Sequence, residues 1–223
     1  WSKRPREKIK ISKYILKNNF DYIVSFRNFY ILKKNLIRRA KYASINFHPS
    51  TPNYRGMGVI NFALFDNKTR YGSTAHIIDE KIDHGKIINV SRFKVKKKYS
   101  LKTLLKKTHD NMLKQAINIF SNLKGNPSKL EKMIIKSKNE KWVKKYRTRE
   151  DMDKFYEVNK KASYKNLLRK IRAAYMEDFR PYIMLHGLKF SLSSPVKEQY
   201  SKNISRKRYK MYFDFIPKDL KDE

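Results

Sequence analysis

The 223-residue chain contains no cysteine. That excludes disulfides, thiolate metal sites and cysteine nucleophiles. It also lacks any apolar run near the ~18 residues a membrane-spanning helix needs, and no signal-peptide apolar region precedes the first charged residues. A cytoplasmic protein with no membrane partner is the expectation from these absences. Acidic residues are scarce: 20 Asp and Glu stand against 54 Lys and Arg, a formal charge of +34. Such a balance invites a polyanionic partner. Yet 39 of the basic residues are Lys and 15 are Arg, and the lysines run through nearly every segment. A solvated lysine-rich surface explains that distribution as readily as phosphate contacts do. No internal repeat is present. The chain opens on Trp1, which suggests a fragment or a processed product.

What is present is an alternation of strand-like and helix-like segments. Ile9, Ile11, Tyr14, Ile15 and Leu16 predict a helix over 6–19, and 21–26 reads as a short buried strand. A helix over 31–41 and a strand over 43–48 follow. Residues 58–66 read as a helix, and 71–79 and 86–94 as strands. Ser100 is placed to cap a helix reaching Leu123, whose apolar stripe is Leu101, Leu104, Leu105, Thr108, Met112, Ile119, Phe120 and Leu123. Strands alternating with helices imply an α/β fold with a mostly parallel sheet. This domain is expected to close near residue 136. Residues 137–223 then form a small α+β appendage: a charged stretch with Trp142 and Tyr146, a helix start at 148–151, a helix over 163–175, and a hairpin of 182–185 and 188–192 across His186-Gly187. The final stretch, 193–223, is polar.

Segment 43–90 is where chemistry concentrates. Asn46 and His48 lie two apart at the end of a strand, so an amide and an imidazole project from one face, about 6–7 Å apart. In open α/β sheets ligands bind beyond the carboxyl ends of the strands, which is where these two residues stand. A polar turn, 79–85, separates two apolar runs and carries Asp83. A fold that brings this turn beside the strand end gives an Asn, a His and an Asp at one mouth. The segment is close to neutral, with five basic and four acidic residues. Each residue alone also has a plain structural use: His48 as a buried histidine, Asn46 as a loop cap, Asp83 as turn chemistry.

The string Asn46-Phe47-His48-Pro49-Ser50, then Tyr54-Arg55-Gly56, Gly72-Ser73-Thr74-Ala75-His76 and Asp83-His84-Gly85, resembles the 10-formyltetrahydrofolate-dependent formyltransferases. That family includes glycinamide ribonucleotide, methionyl-tRNA and nucleotide-sugar formyltransferases. Its blocks N-x-H-P-S, Y-x-G, G-x-T-x-H and D-x-G occur here in order and at similar spacing. The resemblance implies a Rossmann-like formyltransferase fold that would begin with further βα units upstream, so the chain is expected to be N-terminally truncated. It implies Asn46, His48 and Asp83 as the catalytic group, with Asn46 and His48 polarising a formyl carbonyl and Asp83 holding the histidine. It further implies Ile77, Ile78, Asp79 and Ile82 at the folate, and Ser50, Tyr54, Arg55 and Gly56 around the acceptor. For His76 the resemblance allows a site role, but packing suits it better.

Formyl transfer needs donors aimed at a developing oxyanion and a group that manages protons on the incoming amine and the leaving nitrogen. The expected formyl donor is 10-formyltetrahydrofolate. No metal is expected, since His84, His109 and His186 show no ligand pattern. The methionyl-tRNA branch of the family usually reads H-x-S-L-L-P-x-Y/W-R-G. The loop from His48 to Gly56 is one residue shorter and is more similar to formyltransferases of nucleotide-linked amino sugars. A small-molecule amine of that kind is therefore the expected acceptor, with methionyl-tRNA, hydrolysis of the donor, or a non-catalytic basic nucleic-acid-binding domain as alternatives. Homodimerisation stays open.

Overall fold

A computed structural model describes residues 11–28, 30–176, 179–197 and 209–215. The chain divides into two compact units, 1–148 and 149–223. In the first, a four-stranded sheet has the order β1-β2-β4-β5. Its strands are β1 (Phe20–Phe26), β2 (Ala40–His48), β4 (Arg70–Ile77) and β5 (Ile87–Lys94); the two-residue strand β3 (Arg55–Gly56) lies outside it and pairs with β6 (Tyr146–Arg147). The helices of this unit are α1 (Lys13–Lys17), α2 (Lys34–Ile37), α3 (Val59–Phe65), α4 (Leu101–Leu123) and α5 (Lys129–Lys136).

The side-chain alternation of β2 sets up everything else. Ile45 and Phe47 face one way and join Ala75, Ile88, Met112 and Ile119 in the core that α4 closes. Each of these apolar side chains is essentially fully buried, and such burial contributes roughly 1.5–3 kcal/mol per large side chain. Asn46 and His48 necessarily face the other way. A slip of one residue in register would turn His48 into α4 and Phe47 into the site, so the apolar core fixes the polar face. Helix α4 begins as the sequence predicts, with the Ser100 hydroxyl accepting from the Thr103 amide. Buried polar contacts tie it to the sheet: Ser73 Oγ donates to Gln115 Oε1 and Gln115 Nε2 donates to the Asn89 carbonyl.

The α/β class holds, but strand directions differ from the sequence-based expectation. Among the described strands of this sheet only β1 and β2 run parallel; β2–β4 and β4–β5 are antiparallel. Connection 78–86 doubles straight back without a helix, and a parallel return would need a crossover. The helix expected over 31–41 is short because Ala40 already pairs with Phe20 in the sheet. Of the helix expected over 6–19 only Lys13–Lys17 is seen; residues 1–10 lie outside the described residues.

The division between units falls at Thr148, later than the boundary at 136 read from the sequence. After α5 the chain returns to the first unit: Val143 N donates to the Pro52 carbonyl, Trp142 Nε1 donates to the Gly85 carbonyl, and Tyr146 and Arg147 pair with Arg55 and Gly56. The second unit holds α6 (Arg149–Tyr156), α7 (Tyr164–Ala174) and a sheet of β7 (Tyr182–Leu185), β8 (Leu188–Lys197) and β9 (Tyr209–Phe215) in that order. His186 and Gly187 both have positive φ, which is the two-residue hairpin turn. Strand β9 lies in the stretch the sequence reads only as polar; 198–208 and 216–223 lie outside the described residues. Among the described residues no helix is long and apolar enough to cross a membrane.

Candidate active site

Asn46 and His48 sit at the carboxyl end of β2, where Asn46 pairs with His76 of β4 and His48 with Thr74. Cross-strand partners share a face, so the sheet gathers both histidines and the asparagine. The turn after β4 then folds over that face and delivers Asp83, whose φ of +48° is a conformation Asp tolerates better than most residues. Asp83 Oδ1 lies 3.3 Å from His48 Nδ1 and 3.8 Å from His76 Nε2. Asp83 Oδ2 accepts the Gly56 amide at 3.1 Å. His48, His76 and Asp83 are all buried.

Protonation follows from these partners. His48 Nε2 is 2.8 Å from the Tyr54 carbonyl, so that nitrogen donates. With Asp83 facing Nδ1, both ring nitrogens meet acceptors, and the arrangement suits an imidazolium. Burial pushes the His48 pKa down, but the Asp83 carboxylate and the Tyr54 carbonyl outweigh it and hold it above the ordinary value. Burial likewise pushes Asp83 up, and His48 with the Gly56 amide pulls it down to about 2. His76 behaves oppositely. Its Nδ1 donates to the Ile77 carbonyl at 2.8 Å, and burial drives its pKa down to about 4. Its Nε2 is therefore bare and can only accept, so the contact at 3.0 Å has the Asn46 amide nitrogen donating. The bare nitrogen orients that amide.

Asn46, His48, His76 and Asp83 line a cavity of about 310 Å³, within the size range of small-molecule sites. Of the other residues singled out in the sequence, Ile78, Asp79 and Ile82 line it as well. Ile77 does not, and contributes its carbonyl to His76. Ser50, Tyr54, Arg55 and Gly56 also stand outside the lining. Ser50 is buried and its carbonyl accepts from Thr74 Oγ1. Tyr54 is buried and its hydroxyl donates to Asp66 at 2.6 Å. Arg55 and Gly56 hold the Asp83 turn. More of the wall comes from residues the sequence reading did not place at the site: Arg27, Asn28, Tyr30, Ile31 and Leu32 after β1, and Leu105 and His109 on α4. The rule that ligands bind beyond strand carboxyl ends applied to β1 as much as to β2. Trp142 gave no such signal, yet its ring stands edge-on to both His76 and His48, with centroids at 5.1 and 5.7 Å.

Comparison with known proteins adds an independent line. The family model described as Formyl transferase matches residues 1–120, over half the chain. The chain belongs to the formyl transferase family. Among curated members it is 36% identical over 95 residues to the bifunctional polymyxin resistance protein ArnA of Wigglesworthia glossinidia brevipalpis, covering 42% of this chain and 14% of that protein. It is 34% identical over 110 residues to the methionyl-tRNA formyltransferase of Clostridium acetobutylicum, covering 48% and 35%. The match thus spans well under half the length of these relatives. Among solved structures, a 4-N formyltransferase from Francisella tularensis superposes with a TM-score of 0.63 at 18% identity, over 80% of this chain and 72% of that one. A likely sugar N-formyltransferase from Mycobacterium tuberculosis gives 0.62 at 19%, over 84% and 78%. These likenesses establish a shared Rossmann-like fold.

The opposed histidines of this formyl transferase family member make its stability pH-dependent in a defined way. An unfolded chain protonates His76 near 6.5, the folded one only near 4. Stability is therefore lost as pH falls from about 6.5 to about 4, by about 3 kcal/mol from this group at ~1.4 kcal/mol per unit. His109, also lowered to about 4, acts in the same direction. His48, raised by Asp83, acts in the other: its contribution is fully present below 6.5 and is lost as pH rises through its folded value. Urea unfolding of wild type and His76→Gln at pH 7 and pH 4.5 checks this. The variant should lose markedly less stability between the two than wild type.

Proposed function

We propose that the chain carries the catalytic face of a formyltransferase that moves a formyl group from 10-formyltetrahydrofolate to a primary amine of a nucleotide-linked amino sugar. The observation that carries the reading is the buried His48–Asp83 contact on the wall of a cavity that Asn46 also lines. The donor carries a planar pyrimidinone ring and a planar aminobenzoyl ring. Tyr30, Ile31, Leu32, Ile78, Ile82 and Leu105 supply the mainly apolar wall such a ring system needs.

In this reading the amine attacks the formyl carbon, and the bond from that carbon to the folate nitrogen breaks. One proton leaves the amine and one reaches the departing nitrogen. Asn46 has a second amide N–H beyond the one held by His76, and it serves as an oxyanion donor. The His48–Asp83 contact of 3.3 Å is long, so the Nδ1–H can be shared with an oxygen entering the cavity. Asp83, ionised across the whole working range, keeps His48 charged and takes up the amine proton through water. Rate should therefore fall at high pH as His48 deprotonates. On the acid side it should fall as the acceptor amine protonates, because Asp83, at about 2, stays ionised there.

Supplying 10-formyltetrahydrofolate with a nucleotide-linked amino sugar, with methionyl-tRNA, or with no acceptor separates the outcomes. Tetrahydrofolate release only with the sugar supports the proposal. Release with charged tRNA alone moves the acceptor, and release without any amine makes the enzyme a hydrolase. No release, with salt-sensitive RNA binding that survives His48→Ala, would replace catalysis by a basic binding module.

A further inference from the structure

We infer that Arg55 is a positioning residue whose guanidinium, bound to three backbone carbonyls from two separate segments, sets where Asp83 stands against His48. Its Nε donates to the carbonyl of Asp83 at 2.7 Å, Nη2 to that of Ile82 at 3.2 Å, and Nη1 to that of Val143 at 3.1 Å. The next residue, Gly56, donates its amide to the Asp83 carboxylate itself. Two consecutive residues of β3 thus grip the backbone and the side chain of one aspartate, while β6 pairs with that same strand. An arginine that recognises a substrate anion would turn its fork toward the cavity, but Arg55 does not line it. Three of its five N–H donors are spent on the turn and on Val143 instead.

Asp83 needs such a grip because its own backbone is in the left-handed region, and the other ties of its turn, Lys81 and His84 to Asp79 and Trp142 to the Gly85 carbonyl, hold its neighbours rather than Asp83 itself. A planar fork satisfies carbonyls in three directions at once, whereas a lysine ammonium on a flexible stem cannot. Arg55 also places a positive charge near His48, which by itself disfavours the imidazolium. A substitution that keeps the charge therefore isolates the geometric role. Among the described residues, Asp83 at 3.3 Å and the neighbouring His76 are the other titratable side chains that act on His48, and Arg55→Lys leaves both in the chain.

The inference rests on the proposed formyl transfer only for its kinetic readout, so two measurements are combined. In the full chain with histidine labelled at the ring carbon, Arg55→Lys should lower the pH at which His48 titrates by about half a unit or more, because its carboxylate partner has moved. In the same variant kcat for formyl transfer should fall about 30- to 100-fold, as misplacement near 1 Å does elsewhere, with KM for 10-formyltetrahydrofolate within about threefold. An unchanged His48 titration in a folded variant overturns the inference, as does a drop confined to KM. Should Arg55→Lys fail to fold, Arg55→Gln carries the test: loss of charge alone would raise the His48 titration, so a fall there still reports a displaced Asp83, and a rise overturns the inference. If wild type shows no turnover, the proposed activity fails while the titration still decides the role of Arg55.

Discussion

Replacing Asp83 by Asn should slow tetrahydrofolate release roughly a thousandfold while leaving the fold intact. The two side chains have the same shape, and the Gly56 amide at 3.1 Å can donate to the new carbonyl oxygen. What vanishes is the charge that keeps His48 protonated against its burial. The ring then rests neutral at pH 7, with Nε2 still donating to the Tyr54 carbonyl and a bare Nδ1 accepting from the new amide. That arrangement is comfortable, so stability changes little. The cavity has lost both its cationic donor and its proton acceptor, and each such general acid–base role contributes ~10²–10⁴-fold. Single-turnover measurement of formyl transfer at pH 7, beside a thermal melt of the same sample, checks both halves. A decrease below about tenfold would take Asp83 out of the proton path.

Gly56→Ala is expected to be strongly destabilising, costing about 3–5 kcal/mol. A methyl carbon there would stand 2.1 Å from the Arg147 carbonyl oxygen and 2.9 Å from its nitrogen, both backbone atoms that cannot swing aside. The residue also has φ +83°, which costs a side chain ~1–3 kcal/mol by itself, and the clash adds an overpacking penalty of similar size. Gly125→Ala separates the two contributions: it shares the left-handed backbone at φ +71° but has nothing within 4 Å. At roughly 2–4 °C per kcal/mol, Gly56→Ala should lower the melting temperature by ~6–20 °C, and Gly125→Ala by about half of that. Equal losses would mean that β3 and β6 part readily.

The sequence carried the candidate site's polar face further than it carried its support. Asn46 and His48 were legible because a strand has period two and the apolar Ile45 and Phe47 declare the opposite face. Asp83 was legible as a polar break between two apolar runs. Strand direction was not: nothing local in 71–78 or 87–94 distinguishes an antiparallel strand from a parallel one, and only the lack of a helix between them carried a hint. Arg55 shows the limit most plainly. A basic residue in a site loop invites a phosphate, and only the folded backbone reveals that its donors are already occupied. Trp142 and Val143 lie far along the chain from His48, and long-range contacts leave no periodic trace. Their segment was therefore read as the start of an appendage.

That returning segment has a consequence for the order of assembly. When residue 123 leaves the ribosome the sheet, α4, His48 and Asp83 all exist, and every residue named in the chemistry has been made. The third carbonyl for Arg55, the indole against the two imidazoles and the strand that pairs with Gly56 arrive only with residues 142–147. A nascent or clipped chain ending at 136 should thus own the proposed reacting groups with Arg55 and Gly56 still on the Asp83 turn but without the later contacts that back them, and formyl transfer should rise over the last few residues of the first unit.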